Sequence, residues 1–105
     1  MANLDQTDGV QFEVDELERT LAALRHAILK LEQNIFDLDR EISIEEQRTR
    51  VIDPEDCKYS SLAKDQRQRR ENVASTLAIF KEQEQTAVLQ LERLSRKTHG
   101  VGVAA

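Results

Sequence analysis

The chain has 105 residues, of which 33% are charged and 4% aromatic, with only 3 Gly and 1 Pro. This length allows one domain at most, and the composition favours long helices with solvated faces over a globule with a thick core. The net charge of −5 disfavours general nucleic-acid binding, because each phosphate contact needs a cation.

The first helix is predicted at about 9–48, after a flexible segment at 1–8. Its apolar residues recur at alternating steps of three and four, as in the a and d positions of a heptad repeat. These residues are Val14, Leu17, Leu21, Leu24, Ile28, Leu31, Ile35, Leu38 and Ile42. The pattern predicts one side of a coiled-coil seam.

The turn is predicted at about 49–59, around the only proline, Pro54. A proline disfavours helical geometry at the preceding residue, so the first helix is not expected to continue through Asp53. Asp53 before Pro54 is also a possible N-cap for the second helix. Ser60 or Ser61 offers a second possible start, and the sequence leaves these two alternatives open.

The second helix is predicted at about 60–98, followed by a flexible tail at 99–105. Its heptad pattern supplies the other side of the seam with Val73, Leu77, Phe80, Ala87, Leu91 and Leu94. Glu84 interrupts this pattern, and Gln66 and Arg70 occupy its positions toward the turn. Polar residues in a seam can fix the register at a cost in stability.

The two patterns predict an all-α fold, a long antiparallel two-helix hairpin of coiled-coil type. Seam layers pair well when residue numbers sum to 108, which centres the hairpin on Pro54 and sets Glu84 opposite Leu24, within reach of Arg25. Two 3.5-residue patterns always align somewhere, so the position of the turn is the independent support. A parallel contact between two copies of the first helix stays open, because Val or Ile at a with Leu at d suits parallel dimers.

A second set of apolar residues lies outside the seam. It comprises Ala22, Leu29, Phe36, Ile44, Ile79 and Leu89, of which the first three repeat every seven residues. A two-helix hairpin buries little area for its length, so a further apolar face favours pairing into a four-helix assembly. The expected partner is a second copy, as a homodimer, or another helical protein.

The residues around the turn are basic: residues 48–70 hold 7 Lys or Arg against 4 acids. The cations are Arg48, Arg50, Lys58, Lys64, Arg67, Arg69 and Arg70. Local pairing with Glu41, Glu45 and Glu46 of the first helix is the favoured interpretation. The alternative is a basic tip that docks on an acidic partner or on nucleic acid.

No residue pattern indicates catalysis, a cofactor, a metal site or a small-molecule substrate. The two histidines, His26 and His99, have no partner at metal-ligand spacing, and Cys57 is the only cysteine. The sequence shows no secretory signal, no apolar run long enough for a membrane span and no pair of cysteines for a disulfide, so a cytoplasmic protein is expected. Export without a cleavable signal stays open as the alternative.

The expected function is that of a non-enzymatic coiled-coil interaction or assembly module, such as a small adaptor, a chaperone-like protein or a structural subunit. The alternative is a regulatory hairpin that binds nucleic acid or an acidic partner through the basic tip.

Overall fold

The computed structural model is a hairpin of two long α-helices, α1 at Ala2–Thr49 and α2 at Ser61–Val103. The structure describes the backbone of residues 2–103 and the side chains of residues 9–97, and the described backbone contains no strand. The all-α helical hairpin predicted from the heptad patterns is therefore confirmed. The pairing of hairpins into a four-helix assembly stays a prediction.

Both helices are longer than the sequence analysis placed them. α1 begins at Ala2 rather than at about residue 9, and α2 continues to Val103 rather than ending at about residue 98. Glycine lowers helix propensity by about 1 kcal/mol relative to alanine but does not forbid a helix, so Gly9 and Gly100 do not end the helices. The flexibility predicted for residues 1–8 and 99–105 concerns segments whose side chains lie outside the described residues.

The chain divides into two compact units. We call residues Ile28–Ile79 the loop unit, and Met1–Ala27 together with Phe80–Ala105 the terminal unit. The buried apolar residues of the loop unit are Ile28, Ile42, Tyr59 and Ala63, and those of the terminal unit are Leu21 and Ala87. Each unit thus has a thin apolar core between a segment of α1 and a segment of α2.

The residues predicted for the seam are all buried or half-buried. Leu21, Ile28, Ile42 and Ala87 are buried, and Val14, Leu17, Leu24, Leu31, Ile35, Leu38, Val73, Leu77, Phe80, Leu91 and Leu94 are half-buried. Side chains at a and d face the neighbouring helix in every heptad, which accounts for this periodic burial. Gln66, Arg70 and Glu84 are also half-buried, so the seam has polar positions.

The end of α1 is closed by a backbone hydrogen bond and a threonine side chain. The Arg50 N–H donates to the Glu46 carbonyl at 2.8 Å, and Arg50 has a φ of 62°. A left-handed residue just after a helix, bonded in this way, is a common C-terminal cap. The Thr49 hydroxyl donates to the Glu45 carbonyl at 3.1 Å, so carbonyls of the last turn of α1 are satisfied.

Two aspartates fold the loop between the helices. The carboxylate of Asp53 accepts the N–H of Glu55 at 2.9 Å, and that of Asp56 accepts the N–H of Lys58 at 2.8 Å. The carbonyl of Asp53 accepts the N–H of Asp56, and the carbonyl of Asp56 accepts the N–H of Tyr59, both at 3.0 Å. Side-chain bonds of this kind stabilise successive turns, and they bring the chain to the start of α2.

Ser60 caps the N-terminus of α2. Its hydroxyl accepts the Ala63 N–H at 3.2 Å, and its carbonyl accepts the Lys64 N–H at 3.0 Å. Of the two helix starts that the sequence left open, the structure therefore has the one at Ser60, while Asp53 opens a turn.

Candidate interaction surfaces

A ring of three hydrogen bonds joins the two helices next to the loop. The hydroxyl of Tyr59 donates to Glu46 Oε2 and accepts from Arg67 Nε, both at 2.7 Å. Arg67 also donates directly to Glu46 Oε2 at 2.7 Å, and its guanidinium lies 5.8 Å from the centre of the Tyr59 ring. Tyr59 is buried and Glu46 half-buried, whereas the Arg67 side chain is 43% exposed, so the ring of bonds is only partly screened from water.

The charges in this ring stabilise one another. Hydrogen bonds from Arg67 and then from Tyr59 lower the pKa of Glu46. The same pairing, first with Glu46 and then with Tyr59, raises the pKa of Arg67. Burial is the main reason that the pKa of Tyr59 is raised. The ring therefore holds a carboxylate, a neutral phenol and a guanidinium at neutral pH.

Glu45 is the one buried charged residue among those described, at 7% exposure. It accepts hydrogen bonds from Arg48 Nε at 3.1 Å and from the Ser60 hydroxyl at 2.9 Å. Arg48 and then Ser60 lower its pKa. Because Ser60 both caps α2 and binds Glu45, the start of α2 is attached to the last turn of α1.

Further ion pairs join α1 to α2 within each unit. Asp39 pairs with Arg70 in the loop unit, and Arg25 pairs with Glu84 at 3.1 Å in the terminal unit. The contact of Arg25 with Glu84, predicted from the seam register, is confirmed. The Asp39–Arg70 pair also shows that residues 39 and 70 lie at the same level of the loop unit.

The predicted basic tip is partly neutralised by carboxylates of α1. Arg48, Arg67 and Arg70 are paired with Glu45, Glu46 and Asp39. Arg50, Lys58, Lys64 and Arg69 have no ion pair among the described residues. The loop unit as a whole contains 11 acidic residues and nine Lys or Arg, a net charge of −2. Folding thus places acidic residues of α1 beside the basic segment.

The residues predicted for an oligomer or partner face are all exposed. Ala22, Leu29, Phe36, Ile44, Ile79 and Leu89 belong to this set. Among the large residues of this set, Leu29 and Phe36 are the most exposed, at 66% and 62%. Phe12, Ile52 and Leu62 are exposed as well, and none of them belongs to the predicted set. These three follow no seven-residue repeat, which is why periodicity did not reveal them.

The six predicted residues do not lie on one line. Leu29 and Phe36 are seven residues apart on α1 and share one face, since seven residues make about two turns. Ile44 lies eight residues after Phe36, which rotates it by about 80° around the helix. Ile79 and Leu89 are ten residues apart on α2, a similar rotation. The shared face of Leu29 and Phe36 is therefore the coherent part of the predicted set.

The terminal unit has a shallow open groove of about 420 Å³ between its two helices. Phe12, Leu17 and Leu94 form its apolar lining, and charged residues such as Glu13 and Arg93 form its rim. Because the groove is open to solvent, it exposes apolar surface and does not enclose a small molecule.

The described residues contain no cluster of three or more His, Cys, Asp or Glu that could hold a metal ion. Cys57 is exposed in the loop. Neither described helix combines the length and the apolar character that crossing a bilayer requires.

Comparison of the chain with protein-family models, with curated proteins and with solved structures found no significant match.

Proposed function

We propose that the protein is a non-enzymatic coiled-coil interaction or assembly module, a small adaptor, chaperone-like protein or structural subunit that binds another helical surface. The observation that carries the proposal is the exposure of Leu29 and Phe36 on one face of α1 after the seam has been covered. Burying a side chain of this size stabilises a complex by about 1.5–3 kcal/mol. Two such residues on one face are a strong reason for association.

The thin core supports the same proposal. No large side chain among the described residues is fully buried, and the seam positions are mostly half-buried. A hairpin with one seam removes little apolar area from water, and packing on a second pair of helices would add a second seam. A second copy is the commonest partner for such a face, since most soluble oligomers are symmetric.

The basic tip gives less support to the alternative of nucleic-acid or acidic-partner binding. Three of its seven cations are already paired, and the loop unit carries a net charge of −2. Long-range attraction of a polyanion needs a positive field, which these paired charges do not supply.

The proposal is tested by measuring the mass of the full chain in solution. We expect about twice the chain mass of 12.1 kDa at concentrations of about 100 μM, the regime of a moderate affinity. Phe36→Asp should reduce the mass to that of a monomer while circular dichroism still shows a helical protein. Ile52→Asp is the matched control, because Ile52 is 72% exposed but lies in the loop.

A wild-type chain that stays monomeric at this concentration would contradict self-association. Equal loss of association in Phe36→Asp and Ile52→Asp would show that the exposed face of α1 is not the contact.

A further inference from the structure

The loop unit has a patch that contains large apolar residues on α1 and small ones on α2. Leu29 and Phe36 are its large residues, and Ala74 and Ala78 are its small ones. Phe36 precedes Asp39 by three residues, and residues three apart are neighbours on a helix surface. Asp39 pairs with Arg70, so Phe36 lies on the side of α1 from which this ion pair reaches α2.

The alanines lie on the same side of α2. Glu46 follows Asp39 by seven residues, so both carboxylates share one face of α1, and Glu46 pairs with Arg67 at 2.7 Å. Ala74 follows Arg67 by seven residues and Ala78 follows Ala74 by four, which places both on the face of α2 that Arg67 marks. We call Leu29, Phe36, Ala74 and Ala78 the lateral patch.

The levels of these residues match across the two helices. Because residues 39 and 70 pair, residue 36 lies close to the level of Ala74, and residue 29 lies close to that of Ala78. Ala78 is exposed and Ala74 half-exposed. Their short side chains leave the α2 side of the patch recessed, whereas Leu29 and Phe36 project from the α1 side.

Two exposed charges flank the lateral patch at one level. Arg40 follows Phe36 by four residues on α1, and Glu71 precedes Ala74 by three on α2, so each lies beside a patch residue of its own helix and near the level of the Asp39–Arg70 pair. Neither Arg40 nor Glu71 has an ion pair among the described residues. The α1 edge of the patch thus carries a cation, and the α2 edge carries an anion.

We propose that a second copy of this chain binds the lateral patch, with α1 of each copy over α2 of the other and both loops at the same end. This inference rests on the proposed function and names its partner and geometry. A twofold axis along the helices generates the arrangement. It sets Phe36 and Leu29 of one copy against Ala74 and Ala78 of the other. It also sets Arg40 against the partner's Glu71, and the twofold axis repeats each of these contacts.

Charge and shape both disfavour the other twofold packing of the same faces. An axis perpendicular to the helices would put α1 over α1 and α2 over α2. The large residues would then meet large residues, and the alanines would meet alanines. Arg40 would lie on an α1 edge that faces the other α1, and Glu71 on an α2 edge that faces the other α2, so like charges would come together. Like-charge juxtaposition costs affinity, and complementary charges fix the orientation of partners.

A charge exchange tests the contact in the full chain. Arg40→Glu and Glu71→Arg should each weaken dimerisation about tenfold, because each change replaces two symmetric attractive pairs by repulsive ones. The double variant with both changes should return to within about threefold of wild type. Arg69→Glu is the matched control, since Arg69 is also an exposed arginine without an ion pair among the described residues but precedes Arg70 on another face of α2.

The single cysteine gives an independent test of orientation. Cys57 is exposed in the loop, so a spin label can be attached to the native sequence. With both loops at one end, the two labels should lie within about 30 Å, because packed helices are about 10 Å apart. The perpendicular axis would separate them by about 50 Å, since each loop is roughly 17 helical residues from the centre of the patch.

Weakened single variants, a recovered double variant and a short label distance support the arrangement. A dimer that is indifferent to both charge changes, or whose labels lie about 50 Å apart, overturns the arrangement and leaves the proposed function standing. A wild-type monomer overturns self-association itself, and with it this geometry.

Discussion

The loop unit and the terminal unit hold the same two helices together by different means. In the loop unit, Glu45 and Glu46 bind Tyr59, Ser60 and Arg67 through directed hydrogen bonds. In the terminal unit the buried residues are apolar, and the Arg25–Glu84 pair is half-exposed. Apolar layers with a 3.5-residue period pack acceptably after a shift of one heptad, whereas directed bonds permit one register. The loop unit therefore holds its two helix segments in one register.

The largest effect is expected when a charge enters the apolar seam of the loop unit. Ile42 is 5% exposed, and Ile42→Asp would bury an unpaired carboxylate. We expect it to lower the free energy of unfolding by about 3 kcal/mol or more, measured by urea denaturation. Ile44→Asp is the control, because Ile44 is the same residue type at 57% exposure on the same helix. Similar losses in the two variants would mean that the seam does not carry the stability.

Removing one hydroxyl from the loop unit separates directed bonding from apolar burial. Tyr59→Phe keeps the buried ring but deletes the bonds to Glu46 and Arg67. We expect a loss of about 1–2 kcal/mol, because Glu46 and Arg67 stay paired directly. Hydrogen exchange should show the loss in the amides of residues 50–67 before those of the terminal unit. Uniformly faster exchange along both helices would contradict a separate role for the loop unit.

Ile42 and Tyr59 also differ in how far their surroundings could be predicted from the sequence. The burial of Ile42 follows from its place in a heptad, since a and d positions face the partner helix wherever the repeat is intact. The partners of Tyr59 depend on the path of the loop, which two Asx turns and a left-handed Arg50 determine. No periodicity encodes that path, so the part of Tyr59 in the ring was not foreseen, whereas the pairing of Glu46 with the basic segment was predicted and is confirmed by its contact with Arg67.

The lateral patch could likewise be predicted from the sequence only in part. The seven-residue spacing of Leu29 and Phe36 was visible in the sequence, and both are exposed. The contribution of Ala74 and Ala78 was not visible, because alanines in a helix give no signal without knowing which side of α2 Arg67 occupies. Ile44 was grouped with Phe36 by proximity in sequence, although an eight-residue step rotates it to another face.

The terminal unit should become more stable when its polar seam position is made apolar. Glu84 is half-buried and pairs with Arg25. The side chains of Arg25 and Glu84 are 57% and 30% exposed, so this ion pair contributes little to the free energy of unfolding. We expect Glu84→Leu to raise the free energy of unfolding by about 1 kcal/mol in thermal denaturation. Gln83→Leu, at an exposed neighbouring position, should change it by less than about 0.5 kcal/mol. A destabilised Glu84→Leu would show that the ion pair aligns this unit too.

The smallest effect is expected at the junction between α1 and the loop, where the left-handed backbone conformation of Arg50 ends the helix. Arg50 has a φ of 62°, which costs a side-chain-bearing residue about 1 kcal/mol and costs glycine nothing. Arg50→Gly should therefore raise the free energy of unfolding by about 0.5–1 kcal/mol. This gain is smaller than the strain energy removed, because glycine has more conformational entropy in the unfolded chain. Arg50→Ala keeps the strain and removes the same charge, so any gain it shows belongs to the charge. If both variants gain equally, the left-handed cap is not strained, and the loop unit is aligned by its side-chain bonds alone.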